Sequence, residues 1–486
     1  MRINPMMSFP LTNNKTNSLS YSRILFTGLL ILLFWLPLPF GSKPLWSSSI
    51  LVVLTCLLGT LWCLGFGAGK LVITESFRKA YFVHLGFVLV CCWLFLQGLG
   101  IPESWLEGLS PNAHALWQAS ELVTKPGQSV LTLSIDPKAT EQTFLLSISY
   151  YLLFCLVLLL VDSSERVRQL LWVLIAAGIF QALFGSLSTL SGLEILLFGE
   201  KEAYLGVATG TFINRNSFAG FLEMTLALGI GLLISRLDGG SVAGWREKLR
   251  QFLVTMMSSK VLLRSALAIM VIGLVLSRSR MGNTAFFSSL MITGFLYVVL
   301  RRQFSKGVAV LFGSMLLIDV VIVSQWFGIE KVVERIEQTS LERESRPDVS
   351  QVSLNIIEDY PLTGTGGGSF YTALPNYHNG SWKGFYDLAH NDFIQFSLEF
   401  GIPAFVLLVV MVLMAFWQAI MTIRYRKNRL MTGLGFGVFM GMLAIMIHSS
   451  VDFNLQIPAN ASLFVCLMAL AYVSRYCRVH RKRKII

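Results

Sequence analysis

Arg278 and Arg280, in Leu276-Ser277-Arg278-Ser279-Arg280-Met281-Gly282, sit at the ends of apolar runs, as does Arg215, in Gly210-Thr211-Phe212-Ile213-Asn214-Arg215-Asn216-Ser217. Guanidinium forks match phosphate oxygens bidentately. Three arginines converging on one membrane face therefore read as a clamp for an anionic group, with Asn214 and Asn216 as neutral donors. The competing reading is snorkelling to lipid phosphate. His390, in Leu388-Ala389-His390-Asn391-Asp392-Phe393, opens a short predicted helix. A helix N-terminus disfavours imidazolium, which leaves a neutral ring able to accept a proton; a capping or core histidine is the alternative. His448 and Asp452, in Ile447-His448-Ser449-Ser450-Val451-Asp452-Phe453-Asn454, end an apolar run on one face. They read either as part of the same site or as a structural hydrogen-bond network.

Two carboxylates fall inside apolar runs, Glu223 and Asp319. Intramembrane carboxylates are functional by default, but each can also satisfy Arg264 or a hydroxyl within a bundle, and that plainer reading ranks higher. The turn Gly364-Thr365-Gly366-Gly367-Gly368-Ser369 lacks the Gly-Lys-Ser/Thr ending of a phosphate loop and reads as a tight turn. No HExxH, GxSxG, CxxC or DxD-like constellation lies in the outer segments. A mechanism without metal or other cofactor is expected, with arginine supplying charge neutralisation.

The elements that must position these residues follow from composition. Of 486 residues, 54% are hydrophobic and 14% charged, with a mean hydropathy of +0.64. Soluble domains carry roughly 25% charged residues, and a bilayer needs about 20 apolar residues per helix. Apolar runs of that length recur along the whole chain, so the expected fold is all-α, a polytopic transmembrane bundle. Twelve spans are predicted, at about 23–40, 48–68, 81–100, 143–161, 169–188, 217–235, 261–277, 284–300, 308–326, 403–422, 431–449 and 460–475. The first holds Pro37 and Pro39 without a small-x-small cleavage site, and reads as an uncleaved helix.

Net charge is +12, but the basic residues cluster between apolar runs, which suits cytoplasmic loops and anionic headgroups rather than nucleic acid. Alternating the loops puts 27 of the 39 Lys and Arg residues on one side, with both termini. That side is expected to be the cytoplasm. The seven cysteines, Cys91-Cys92 among them, read as buried small hydrophobes, with no disulfide framework or zinc site. Three long outer segments remain, 101–142, 189–216 and 327–402. The last combines a charged helical stretch from Lys331 to Arg346, an amphipathic stretch with Val349, Val352, Ile356 and Ile357, the glycine turn, and a short helix from Asn391 to Phe400. It predicts a small extracytoplasmic helical cap.

These residues together resemble the bacterial O-antigen ligase and O-antigen polymerase superfamily. The resemblance rests on Gly210 to Asn216 with Phe218-Ala219-Gly220, on Ser279-Arg280-Met281-Gly282, on Asp359-Tyr360-Pro361-Leu362-Thr363-Gly364-Thr365-Gly366, on Ala389-His390-Asn391-Asp392 with Glu399-Phe400-Gly401, and on His448 to Asn454. It spans 205–460; residues 1–200 match in topology only. The expected organisation is thus an N-terminal region of five helices over 1–200, a ligase-like membrane region over 201–475 with the loop 327–402, and a basic cytoplasmic tail over 476–486. The resemblance implies an inverting, metal-independent glycosyltransferase of the GT-C type in the bacterial inner membrane, acting on its periplasmic face. Its donor would be a glycan on undecaprenyl diphosphate. By position Arg215 and Arg280 resemble the family's diphosphate-binding arginines and His390 its base. Arg346 resembles an arginine of the periplasmic loop, and Asp452 an acidic residue near the last helices; Asn391 and His448 lie within the matching motifs. The family turn reads Ser-Arg-Gly where this chain has Ser279-Arg280-Met281-Gly282, with Arg278 as the alternative arginine. Lipid A–core as acceptor would make the protein an O-antigen ligase. A growing lipid-linked glycan would make it a polymerase, and a protein side chain an O-oligosaccharyltransferase. The rival class is a transporter or flippase for lipid-linked sugars.

Overall fold

The computed structural model describes residues 13–121, 130–236, 259–301, 313, 346–378 and 386–478. Its helices are α1 (Asn13–Trp35), α2 (Leu45–Gly67), α3 (Glu75–Lys79), α4 (Tyr81–Gly98), α5 (Glu103–Leu109), α6 (Pro111–Glu121), α7 (Pro137–Leu160), α8 (Ser164–Leu190), α9 (Arg215–Ser235), α10 (Ser259–Leu276), α11 (Arg280–Arg301), α12 (Arg346–Asp359), α13 (Phe370–Ala373), α14 (Asp392–Phe400), α15 (Ile402–Tyr425), α16 (Arg429–Ser449) and α17 (Pro458–Tyr476). Among the described residues nine helices are long and apolar enough to cross a membrane: α2, α4, α7, α8, α9, α11, α15, α16 and α17. Ser20–Trp35 of α1 and Val261–Leu276 of α10 form two shorter apolar helices. The predicted span 308–326 with Asp319, residue 313 apart, the charged stretch 331–345, the basic loop residues Arg246, Lys248 and Arg250, and the tail beyond 478 lie outside the described residues.

Two expectations change in detail. The first apolar run stops at Trp35 rather than Phe40, because Pro37 and Pro39 lack the N–H that would continue the helix. The chain then turns through a 3-10 segment at Phe40–Ser42. The segment 189–216 also contains a minimal hairpin, β1 (Ile195–Leu196) antiparallel to β2 (Gly199–Glu200), with Ile195 opposite Glu200.

The core is built around α9, every residue of which from Ser217 to Ile234 is buried. Small residues bring α9 and α16 into backbone contact: a Cβ at Gly433 would lie 2.3 Å from the Gly231 carbonyl oxygen, and one at Gly437 2.6 Å from that of Ala227. Small residues spaced four apart permit such close approach between membrane helices. At the ends where α7, α15 and α17 finish, arginines cap free carbonyls. Arg166 donates to Leu160 O at 2.8 Å, Arg301 to Arg426 O at 3.1 Å and Arg426 to Cys477 O at 2.6 Å.

A second apolar core lies apart from the bundle core and joins Leu106, Leu133, Val352, Ile356, Phe370 and Leu398. It draws together the segments 101–142 and 346–400, which the sequence leaves as separate loops. The glycine turn is part of this layer and is no phosphate loop. Its amides are satisfied internally: Gly364 N donates to Tyr360 O, Thr365 N to Leu398 O and Gly366 N to Glu399 O. Gly367 N donates to Gln97 Oε1 and Gly368 N to Glu399 Oε2.

Candidate active site

The site is assembled from the N-terminus of α9. Asn214 caps it, its Oδ1 accepting from Asn216 N at 2.7 Å. Arg215 follows, half-buried, with its guanidinium 5.7 Å from the centre of the Tyr204 ring. Its buried Nε has no hydrogen-bond partner among the described residues. The Asn216 amide donates to Asp452 Oδ2, and Asp452 Oδ1 accepts from Phe453 N at 2.8 Å. The Phe453 ring meets the His390 imidazole edge-on, with centroids 4.8 Å apart, and Tyr386 approaches the same imidazole at 5.7 Å. Asn391 caps α14 through Phe393 N and Ile394 N, while its amide donates to Ser450 O at 2.8 Å. Asp392, buried behind it, accepts from Leu455 N at 2.9 Å and Gln456 Nε2 at 3.2 Å. The turn 450–456 is thereby pinned between α9 and α14.

Arg280 opens α11, exposed at the same end, and Ser279 Oγ accepts from Gly282 N at 3.1 Å. This first turn lies directly on α9: a Cβ at Gly282 would sit 2.6 Å from Ala219 Cβ and 3.1 Å from Glu223 Oε1. Ala219 is one helical turn beyond Arg215, so the two arginines start neighbouring, contacting helices. Arg278 is exposed, with a left-handed φ of +51°.

Several expected residues take different partners. Glu223 does not face Arg264, which is exposed. Its Oε1 lies 2.8 Å from His448 Nδ1, and both side chains are fully buried. The close packing of α9 on α16 brings these two side chains together. Asn214 uses its side-chain oxygen in the cap, and the group that could donate to an anion is its Nδ2 amide. The Arg346 side chain lies outside the described structure.

Backbone strain concentrates here. The non-glycine residues with positive φ among those described are Phe40, Ser42, Glu194, Tyr204, Arg278 and His390. Each such residue costs on the order of 1–3 kcal/mol, and two are site candidates while a third lies over Arg215. The loop on either side of Tyr204 is tied by a pair that sequence reasoning missed. Lys201 is buried and binds Glu194 at 2.5 Å and Val207 O at 2.6 Å, while Gly206 N donates to Glu194 Oε1 at 2.8 Å. An acid and a base seven residues apart in an apolar outer segment was the available signal. Phe453 lay in a motif already noted, but an aromatic there reads as core.

The carboxyls of α14 are shifted. Burial pushes Asp392 up to about 7, although hydrogen bonds from Leu455, Ser449 and Gln456 work against it. Burial likewise pushes Glu399 up to about 7, against donors from Gly368, Gln395 and Phe370.

No curated protein matches the chain. Residues 265–409 match the model of the O-antigen ligase family. The matched stretch runs from α10 through the Arg278–Arg280 turn and His390 into α15, and over it this membrane protein is similar to the O-antigen ligase family.

Proposed function

We propose that the protein transfers a glycan from undecaprenyl diphosphate to an acceptor hydroxyl of lipid A–core, on the periplasmic face of the inner membrane, with both termini in the cytoplasm. The observation that carries this reading is the continuous path from Arg215 through Asn216, Asp452 and Phe453 to His390. It links the segment carrying the Arg215 guanidinium to the His390 imidazole, which supports reading the first as the diphosphate's cation and the second as the proton acceptor. The second apolar core then forms the periplasmic cap over the donor.

Arg215 and Arg280, with Arg278 beside them, hold the diphosphate. His390 takes the proton from the acceptor hydroxyl, whose oxygen attacks the anomeric carbon from the face opposite the diphosphate. The new C–O bond forms as the bond to phosphate breaks, and undecaprenyl diphosphate leaves with the electron pair. Anomeric configuration inverts. Negative charge grows on the leaving phosphate, so arginine contacts that tighten there lower the barrier, and no metal is required for that role. Asn391 and Asp452 fix the turn that carries Phe453 against His390.

The test is transfer by purified protein from undecaprenyl-diphosphate glycan to core-bearing lipid A, without ATP and with EDTA. Glycosylated lipid A from wild type and none from His390→Ala supports the reading. Longer lipid-linked chains instead would make the protein a polymerase, and absence of any product with either acceptor would reject glycan transfer to both.

A further inference from the structure

The family match begins at residue 265, yet the N-terminal region delivers a cation to the site. The segment from Pro37 to Lys43 is stitched into it at several points. Thr211 Oγ1 donates to Pro37 O at 2.6 Å. A Cβ at Gly41 would lie 2.6 Å from the Phe212 ring and 2.9 Å from Ile457, so this backbone is wedged between the residues leading into α9 and those following Asp452. Ser42, fully buried, donates to Leu36 O at 2.6 Å. Phe40, Gly41 and Ser42 have φ values of +55°, +69° and +58°, three successive left-handed residues.

This strained turn ends at Lys43. Its ammonium lies 5.8 Å from the centre of the Phe453 ring, the ring that packs on His390. The same ammonium is 3.2 Å from Asp387 Oδ2, with the two side chains 42% and 52% exposed. An ion pair this open contributes little, less than one left-handed non-glycine residue costs. The pair is therefore no reason for the turn, and it exchanges readily for a stronger anion.

We propose that Lys43 is a substrate-binding residue of the site, its ammonium passing from Asp387 to a phosphate oxygen of the substrate. The assignment rests on the proposed function. The phosphate belongs either to the lipid-linked donor or to a phosphorylated acceptor, and Asp387 serves as the resident counter-ion. A compact ammonium on a flexible stem suits a phosphate whose position shifts as the glycosidic bond breaks.

Binding of undecaprenyl diphosphate to the full-length protein in detergent, with undecaprenol as the control lacking phosphate, separates the possibilities. The variants are Lys43→Met, which keeps the apolar stem, Lys43→Arg and Asp387→Asn. The assignment expects Lys43→Met to weaken diphosphate binding about tenfold or more, the worth of one charge-assisted hydrogen bond. Undecaprenol binding stays unchanged, Lys43→Arg restores much of the loss, and Asp387→Asn binds as well as wild type or better. The same pattern in the KM for phosphorylated lipid A, with diphosphate binding intact, places the phosphate on the acceptor and equally supports the assignment. Unchanged binding and unchanged KM in Lys43→Met overturn it, as do equal losses in Lys43→Met and Asp387→Asn, the mark of a structural ion pair. Wild type that binds neither lipid phosphate overturns the proposed function and this assignment with it.

Discussion

His448 Nδ1 lies 2.8 Å from Glu223 Oε1 across the contact between α16 and α9, and neither side chain reaches solvent. Removing one member of a buried pair leaves the other uncompensated, at a cost of about 3–5 kcal/mol. Glu223→Ala and His448→Ala are each expected to lower the melting temperature sharply in detergent. The double variant should lose clearly less than the two single losses combined, because the stranded group is gone. Strict additivity would show that the two side chains are not coupled.

His390 has φ +52°, a conformation asparagine tolerates better than most residues. His390→Asn therefore removes the imidazole with little backbone cost. A positioned general base contributes roughly 10²–10⁴-fold, so the initial rate of glycan transfer should fall by that order. The melting temperature should stay near wild type. Transfer at the wild-type rate would remove His390 from the proton transfer.

The helices were legible because each needs a long apolar run, and the described spans fall where hydropathy puts them. Arg215, Arg280 and His390 stood out because charge and imidazole are unexpected at those positions. Their supporting contacts were not legible. Asn216 reaches Asp452 across 236 residues, and nothing local in either segment encodes that pairing. Glu223 reads as a partner of Arg264 or of a hydroxyl because a sequence cannot reveal that glycines on α16 admit α9 closely enough for His448 to reach it. Nothing in the sequence around Lys43 singles it out, since its surroundings are the turn before it and the ring of Phe453 beside it.

Asp392 and Glu399 make the layer above the bundle sensitive to pH. Both carboxyls are pushed up by burial to about 7, against about 4 in an unfolded chain. The folded state thus binds more protons than the unfolded state between those values, and stability falls as pH rises through that window. The contribution is fully present below about pH 4 and absent above about pH 7. Hydrogen exchange of residues 392–400 should show weaker protection at pH 8 than at pH 5.5. Asp392→Asn and Glu399→Gln should each flatten that difference, and an unchanged pH dependence in both would locate it elsewhere.

Gly364 and Gly192 have nearly the same φ, +67° and +72°, in very different surroundings. A Cβ at Gly364 would lie 2.3 Å from Glu399 O and 2.5 Å from Gly401 N, both backbone atoms, whereas Gly192 has nothing within 4 Å. Left-handed strain alone costs roughly 1–2 kcal/mol, and both Gly→Ala substitutions incur it. Only Gly364→Ala must also push the glycine turn away from the end of α14, breaking the bonds from Thr365 N to Leu398 O and from Gly366 N to Glu399 O. Proteolysis of Gly364→Ala should therefore open the segment 346–400 while the spanning helices remain protected, and transfer should fall because His390 and Asn391 lead into α14. Gly192→Ala should leave both nearly unchanged. Similar proteolysis of the two variants would mean that backbone strain, not the packing of the glycine turn on α14, sets the stability of that layer.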